Sequence, residues 1–187
     1  VTAVRLGSSE GSGTAGTVGS ALTGTYGQLT LNSNGSYTYV ANQTAADNLD
    51  AGDVVTDTFN YTVSDGTDTD TAVITITVIG INDAPSAQND VGVIVEDGTL
   101  TVTNGSNATL TGDSYDATGE NSGDLIDTSS SSHTDSDLDT SASLSITQIK
   151  KDGGSNSAVA VGSSYNSSGT QVTGTYGTLT IGADGSY

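Results

Sequence analysis

Runs of alternating apolar and polar residues constrain this chain more than any other feature. Tyr26-Gly27-Gln28-Leu29-Thr30-Leu31, Tyr37-Thr38-Tyr39-Val40, Thr58-Phe59-Asn60-Tyr61-Thr62-Val63 and Ala72-Val73-Ile74-Thr75-Ile76-Thr77-Val78-Ile79 each carry the two-residue period of a half-buried strand. Their outward positions favour threonine, a polar residue with strand propensity. Between the runs lie turn dipeptides: Asn34-Gly35, Asp65-Gly66, Asn104-Gly105, Asp152-Gly153 and Asp184-Gly185. Helical signals shrink to 44–49, read as a single turn capped by Thr44. The reading is all-β, a sandwich of short antiparallel strands. The alternation also answers the question of disorder that so polar a composition raises.

Composition narrows function. Three basic residues, Arg5, Lys150 and Lys151, stand against 22 acidic ones, for a net charge of −19 in 187 residues. Such a polyanion cannot neutralise a row of phosphates, which excludes nucleic acid as a partner. It has no polybasic patch for an anionic membrane, and no apolar run nears the roughly 20 residues of a membrane-spanning helix. Cysteine is absent, so thiol, disulfide and thiolate-metal chemistry are absent too. His133 is the only imidazole and lies in a serine run, where it reads as a solvated side chain rather than part of a Ser-His-Asp site. With no Trp and one Phe, a sugar-stacking platform would depend on tyrosines that lie on strand-like runs. The chain reads as not an enzyme.

An internal repeat organises the rest. The segment beginning Gly24-Thr25-Tyr26-Gly27 and ending Gly35-Ser36-Tyr37 returns 150 residues later as Gly174-Thr175-Tyr176-Gly177 to Gly185-Ser186-Tyr187, with nine of fourteen positions identical. Upstream, Val1-Thr2-Ala3-Val4-Arg5 matches Ile146-Thr147-Gln148-Ile149-Lys150 at an offset of 145, which places about five extra residues in the second copy, assigned to the loop after Lys151. Residues 1–83 are expected to be the C-terminal part of one β-sandwich repeat. Residues 84–187 are expected to be a linker and the N-terminal part of the next, in a longer polypeptide whose remaining strands come from flanking sequence or another chain.

The strings Phe59-Asn60-Tyr61-Thr62-Val63-Ser64-Asp65-Gly66 and Ala72 through Gly80-Ile81-Asn82-Asp83-Ala84-Pro85 resemble the end of a VCBS repeat. These are cadherin-like or bacterial immunoglobulin-like modules of large bacterial surface adhesins. Asn34-Gly35-Ser36-Tyr37-Thr38-Tyr39 and Leu49-Asp50-Ala51-Gly52-Asp53 resemble that family's middle segment, while 111–140 departs from it as an insertion-like stretch. The resemblance implies Greek-key immunoglobulin/cadherin-like β-sandwich modules in tandem, export to the cell exterior, and calcium at the joints.

The acidic clusters suit calcium on their own chemistry, since Ca²⁺ takes six to eight oxygen ligands. One candidate is the joint Asn82, Asp83, Asp90, Glu96 and Asp97. A second is Asp135, Asp137 and Asp139, alternate carboxylates on an extended segment. A third is the turn of Asp65, Asp68 and Asp70, where Gly66 permits a positive φ. Each also has a bland reading, as hairpin turn or solvated charge. No EF-hand loop or nonapeptide calcium repeat is present. Glycosylation at the Asn-x-Ser/Thr matches of Asn34, Asn42, Asn60, Asn104, Asn107 and Asn166 stays open, because such matches are expected by chance in a chain this rich in Ser and Thr.

Two functions are expected. The first is a calcium-stiffened spacer in an extracellular adhesin or surface filament, with neighbouring repeats, or other subunits of a filament, as partners. The alternative is a β-sandwich that itself binds a carbohydrate, a polysaccharide or a host surface.

Overall fold

Eleven-residue alternation on both sides of Asp65-Gly66 produces the longest pairing among the described residues. A computed structural model describes residues 1–105, 109–111, 124–126 and 134–187. They form two compact units, Val1–Ala84 with Leu138–Ala142, and Pro85–Asp137 with Ser143–Tyr187.

The first unit contains β1 (Ala3–Leu6), β2 (Ala15–Gly16), β3 (Ala21–Thr23), β4 (Gln28–Leu31), β5 (Tyr37–Val40), α1 (Thr44–Asp47), β6 (Val54–Ser64) and β7 (Thr69–Ile79). One antiparallel sheet runs β2-β1-β6-β7 and the other β3-β4-β5. The chain therefore leaves the first sheet after β2, builds the three-stranded meander, and returns as β6 beside β1, a Greek-key crossover. β6 and β7 pair from Val54↔Ile79 to Ser64↔Thr69, and β6 pairs with β1 from Ala3↔Thr62 to Leu6↔Phe59. Val4 and Phe59 from one sheet meet Leu22, Leu29 and Leu31 from the other in the core. The rings of Tyr39 and Phe59 touch edge to face across it, with centroids 6.5 Å apart. All seven strands of this sandwich lie within residues 3–79.

The second unit contains β8 (Thr99–Thr101), β9 (Thr109–Thr111), β10 (Gln148–Ile149), β11 (Ser157–Ala158), β12 (Thr170–Thr173) and β13 (Thr178–Ile181), paired as three antiparallel hairpins. Val102 and Tyr187 exchange backbone hydrogen bonds. The core gathers Val159, Ile181 and Ala183, with Leu125, Ile146 and Ile149 against them.

The architecture is the expected all-β one, with four local differences. The first alternating run becomes strand only from Gln28, because Tyr26 and Gly27 form the turn before β4. Thr44 is the first residue of α1 rather than its cap; Gln43 is the N-cap, and no side chain caps the turn. The extra length of the second copy falls between β11 and β12, at 159–169, where the first copy has only 17–20; the segment after Lys151 is no longer than its counterpart. Finally, Asn60 is 1 % exposed and cannot accept a glycan in the folded unit. His133, Asn107 and most of the insertion-like stretch lie outside the described residues.

Candidate functional site

One buried, heavily bonded carboxylate is a residue the sequence reading passed over. Asp57 lies on β6 two residues before Phe59, so alternation turns both toward the core, and it is 3 % exposed. Its Oδ1 accepts the Thr25 amide at 2.9 Å, and its Oδ2 accepts the amides of Tyr26 at 3.0 Å and Gly27 at 3.2 Å. The Tyr39 hydroxyl donates to Oδ2 at 2.6 Å. Burial works to raise the carboxyl's pKa, but the hydrogen bonds from Tyr39 and the three amides outweigh it and hold Asp57 below the ordinary carboxylate range. Burial, then the bond and charge of Asp57, push the Tyr39 hydroxyl above the ordinary tyrosine range. This cluster fastens one sheet to the other. The available signal was parity, an aspartate in phase with Phe59 and Tyr61.

Asn60 does similar work on the opposite face of β6. Its amide group donates to the carbonyls of Gly7 and Ser12, both at 3.0 Å, and its oxygen accepts the Gly11 amide at 3.1 Å. The β1–β2 loop is pinned by those three bonds.

The acids proposed for calcium fall in both units. Asp65 caps the β6–β7 turn, its Oδ1 accepting the Thr67 and Asp68 amides at 2.8 Å each; these bonds, Asp68's first, lower its pKa. Gly66 has the expected positive φ, 99°. Asn82 donates to the carbonyl of Asp83. The Asp83 amide donates to Oδ2 of Asp139 at 3.0 Å, and Asp50 accepts the Ser141 amide at 3.1 Å. These two bonds bring the start of the 138–142 segment into the first unit, so Asp83 and Asp139 do meet.

Asp135 belongs to the second unit, where it is buried and its Oδ1 accepts the Gln88 amide at 2.7 Å beside the mutual Ser86–Ser136 bonds. Asp137 belongs to that unit as well. Asp90 lies near Tyr187, whose hydroxyl pKa is raised by burial and then by the charges of Asp90 and Asp124. Glu96 and Asp97 line a cavity beside Gly98 and Thr99. Among the described residues no three acidic side chains converge as a metal-binding group. The donor chemistry is right for calcium, all oxygen, but in this arrangement the carboxylates with resolved partners serve backbone amides.

No helix among the described residues is long and apolar enough to cross a membrane. No curated protein and no solved structure matches the chain. Residues 3–80 match the bacterial cadherin-like domain. That span runs from the first residue of β1 to just past β7 and takes in the whole Asp57 cluster. Domains of this kind are generally non-catalytic, act in tandem with neighbouring repeats and are usually found in surface proteins. The likeness covers residues 3–80, the strands of the first unit, and is to a domain of the structural, adhesion type.

Proposed function

We propose that this chain is a spacer segment of an extracellular adhesin or surface filament, built from tandem cadherin-like repeats and stiffened by calcium. The observation that carries the reading is the coincidence of a two-sheet sandwich within residues 3–80, similar to the bacterial cadherin-like domain, with a second copy of its β3–β4 hairpin 150 residues on. A chain that repeats a non-catalytic sandwich gains reach and mechanical continuity rather than a new reaction. The net charge of −19 supports the calcium part, as do the oxygen-only donors at Asn82, Asp83, Asp90, Glu96, Asp97, Asp135, Asp137, Asp139 and Asp65. Asp139, whose carboxylate already accepts the backbone amide of Asp83, is the acid we assign to an ion beside the joint, with carbonyl and amide oxygens completing its shell. Without the ion the clustered carboxylates repel; with it, local opening becomes costlier by mass action.

The test is thermal unfolding in EGTA against millimolar Ca²⁺, with Mg²⁺ as the control. Binding at 100 times Kd adds about 2.7 kcal/mol, a Tm rise of several degrees for a unit of this size. Asp139→Asn should remove most of the rise. An unchanged Tm would remove calcium from the proposal and leave the spacer.

A further inference from the structure

The turn Gly24-Thr25-Tyr26-Gly27 and its copy Gly174-Thr175-Tyr176-Gly177 close with the same bond, from the amide of the first glycine to the carbonyl of the last, 2.7 Å in each. Only the first turn is covered. There the amides of residues 25–27 hold Asp57, and Leu29 packs at 0 % exposure in the cluster that contains Phe59. In the copy, Leu179 is 38 % exposed and Tyr176 is fully exposed. Among the described residues no carboxylate bonds the amides of 175–177.

The glycines make the contrast sharper. A Cβ on Gly24 would strike the Asp57 carboxylate, and one on Gly27 the Tyr39 ring and the Val40 carbonyl. Around Gly177 nothing lies within 4 Å, and Gly174 would meet only the Gly177 carbonyl, at 3.3 Å. Glycine thus recurs at 174 and 177 where no side chain among the described residues of the second unit demands it. In the first unit the demand at position 24 comes from Asp57 of β6, and at position 27 from Tyr39 and Val40 of β5.

The space for such a strand is there as well. Ile149, Lys150, Val172, Tyr176 and Leu179 line a cavity of about 920 Å³ inside the second unit. Those residues are the copies of Val4, Arg5, Leu22, Tyr26 and Leu29. In the first unit β6 pairs with the first two, as Val4↔Tyr61 and Arg5↔Asn60, and packs Phe59 against both leucines. Lys150 and Lys151 border the cavity together with Glu96 and Asp97, so its lining carries both signs of charge and the aspartate is seated by the turn amides rather than by net charge.

We propose that the Gly174–Gly177 turn and this cavity form an acceptor for a β-strand of the repeat's own β6 type. The strand lies along β10, seats its aspartate on the amides of Thr175, Tyr176 and Gly177, and places the aromatic residue two positions on against Leu179. The inference rests on the two-copy repeat and not on calcium, so its test is run in EGTA and its failure is separate from failure of the ion.

The experiment titrates the whole chain with a synthetic peptide of the sequence Val54–Ser64, following labelled-peptide anisotropy and the backbone amide resonances of residues 174–179. Saturable binding is expected, with the largest shifts at 175–177. Peptides carrying Asp57→Ala or Phe59→Ala should bind roughly tenfold or more weakly. Gly174→Ala in the protein should leave its own unfolding transition unchanged and weaken the peptide to the same degree. Self-association of the chain that saturating peptide reverses would support the acceptor, with a second copy supplying the strand. No saturable binding up to millimolar peptide, equal affinity of the Asp57→Ala peptide, or a dimer that the peptide leaves intact would each overturn it.

Discussion

The β3–β4 and β12–β13 hairpins pair in the same register, Leu22↔Leu29 in one and Val172↔Leu179 in the other, yet one is sealed and the other open. The difference separates two kinds of information. Register and turn geometry follow from residues within the hairpin, because side-chain alternation and turn chemistry act over a few positions. Burial follows from a strand nearly thirty residues farther along, β6, which supplies Phe59 and Asp57 to the first hairpin. A leucine at the same place in the same pattern is therefore core in one copy and surface in the other.

The strongest way to break this comparison is to truncate both leucines. Leu29→Ala should destabilise the first unit by about 3 kcal/mol, and Leu179→Ala the second by less than about 1 kcal/mol, since only the first leaves a cavity in a packed core. Denaturant unfolding with hydrogen exchange resolved by unit measures both. Equal losses would mean that the second hairpin is covered after all.

Removing the clamp comes next. Asp57→Ala leaves three amides and a tyrosine hydroxyl without their acceptor and should cost about 3 kcal/mol. The wild-type pH profile should carry the same signature. A carboxyl whose folded pKa is depressed contributes stability at pH values above its unfolded value of about 4, and that contribution is lost as pH falls toward the depressed folded value. Tyr39 has the opposite sign: its folded pKa is raised, so its contribution is full below about 10 and fades as pH climbs above that. Asp57→Asn should flatten the acid limb of the first unit's profile. An acid limb as steep in Asp57→Asn as in wild type would assign the loss to other carboxylates.

Asn60→Ala is the third in size. It frees the Gly7 and Ser12 carbonyls and the Gly11 amide, and an expected loss of about 2 kcal/mol should come with faster exchange across 7–14 than across β6–β7. Uniform acceleration would make Asn60 a packing residue of the whole sandwich instead of the loop's anchor.

Much of this was legible in the sequence because it was local. The strand 37–40 and the 72–79 part of β7 follow from alternation, while β7 starts at Thr69 and takes in Asp70, a residue the sequence reading places in the turn; Asn34-Gly35, Asp65-Gly66 and Asp184-Gly185 each place glycine at positive φ in a turn. What alternation does not carry is the identity of an inward polar residue. Parity puts Asp57 in phase with Phe59 and Asn60 on the other face, but their partners, at 25–27, 39 and 7–12, are far away in sequence, so what each one bonds could not be read from the run itself. Thr44 failed as a cap for a related reason. A cap signal only states that a hydroxyl could accept a helix amide, and in a four-residue turn the boundary moved by one residue. The acidic strings were legible as oxygen donors and not as sites, because their spacing says nothing about which amides compete for them.

The smallest effect tests the part of the comparison that should not break. Asn34 Oδ1 accepts the Ser36 amide at 3.0 Å and its hydroxyl at 2.8 Å, and in the copy Asp184 Oδ1 accepts the Ser186 amide at 3.1 Å and its hydroxyl at 2.5 Å. Two different residues thus build one turn, through the same acceptor atom at the same distance from the backbone, with glycine next at φ 88° and 85°. If that oxygen is all the turn requires, Asn34→Asp should change the first unit's stability by less than about 0.5 kcal/mol, the usual range for a surface substitution. The small residue of effect should be the extra negative charge in an already anionic chain, and it should shrink at higher salt. A loss of more than about 1 kcal/mol, unmoved by salt, would mean that the amide nitrogen of Asn34 matters to the first copy. The two hairpins would then differ in their local chemistry as well as in their cover.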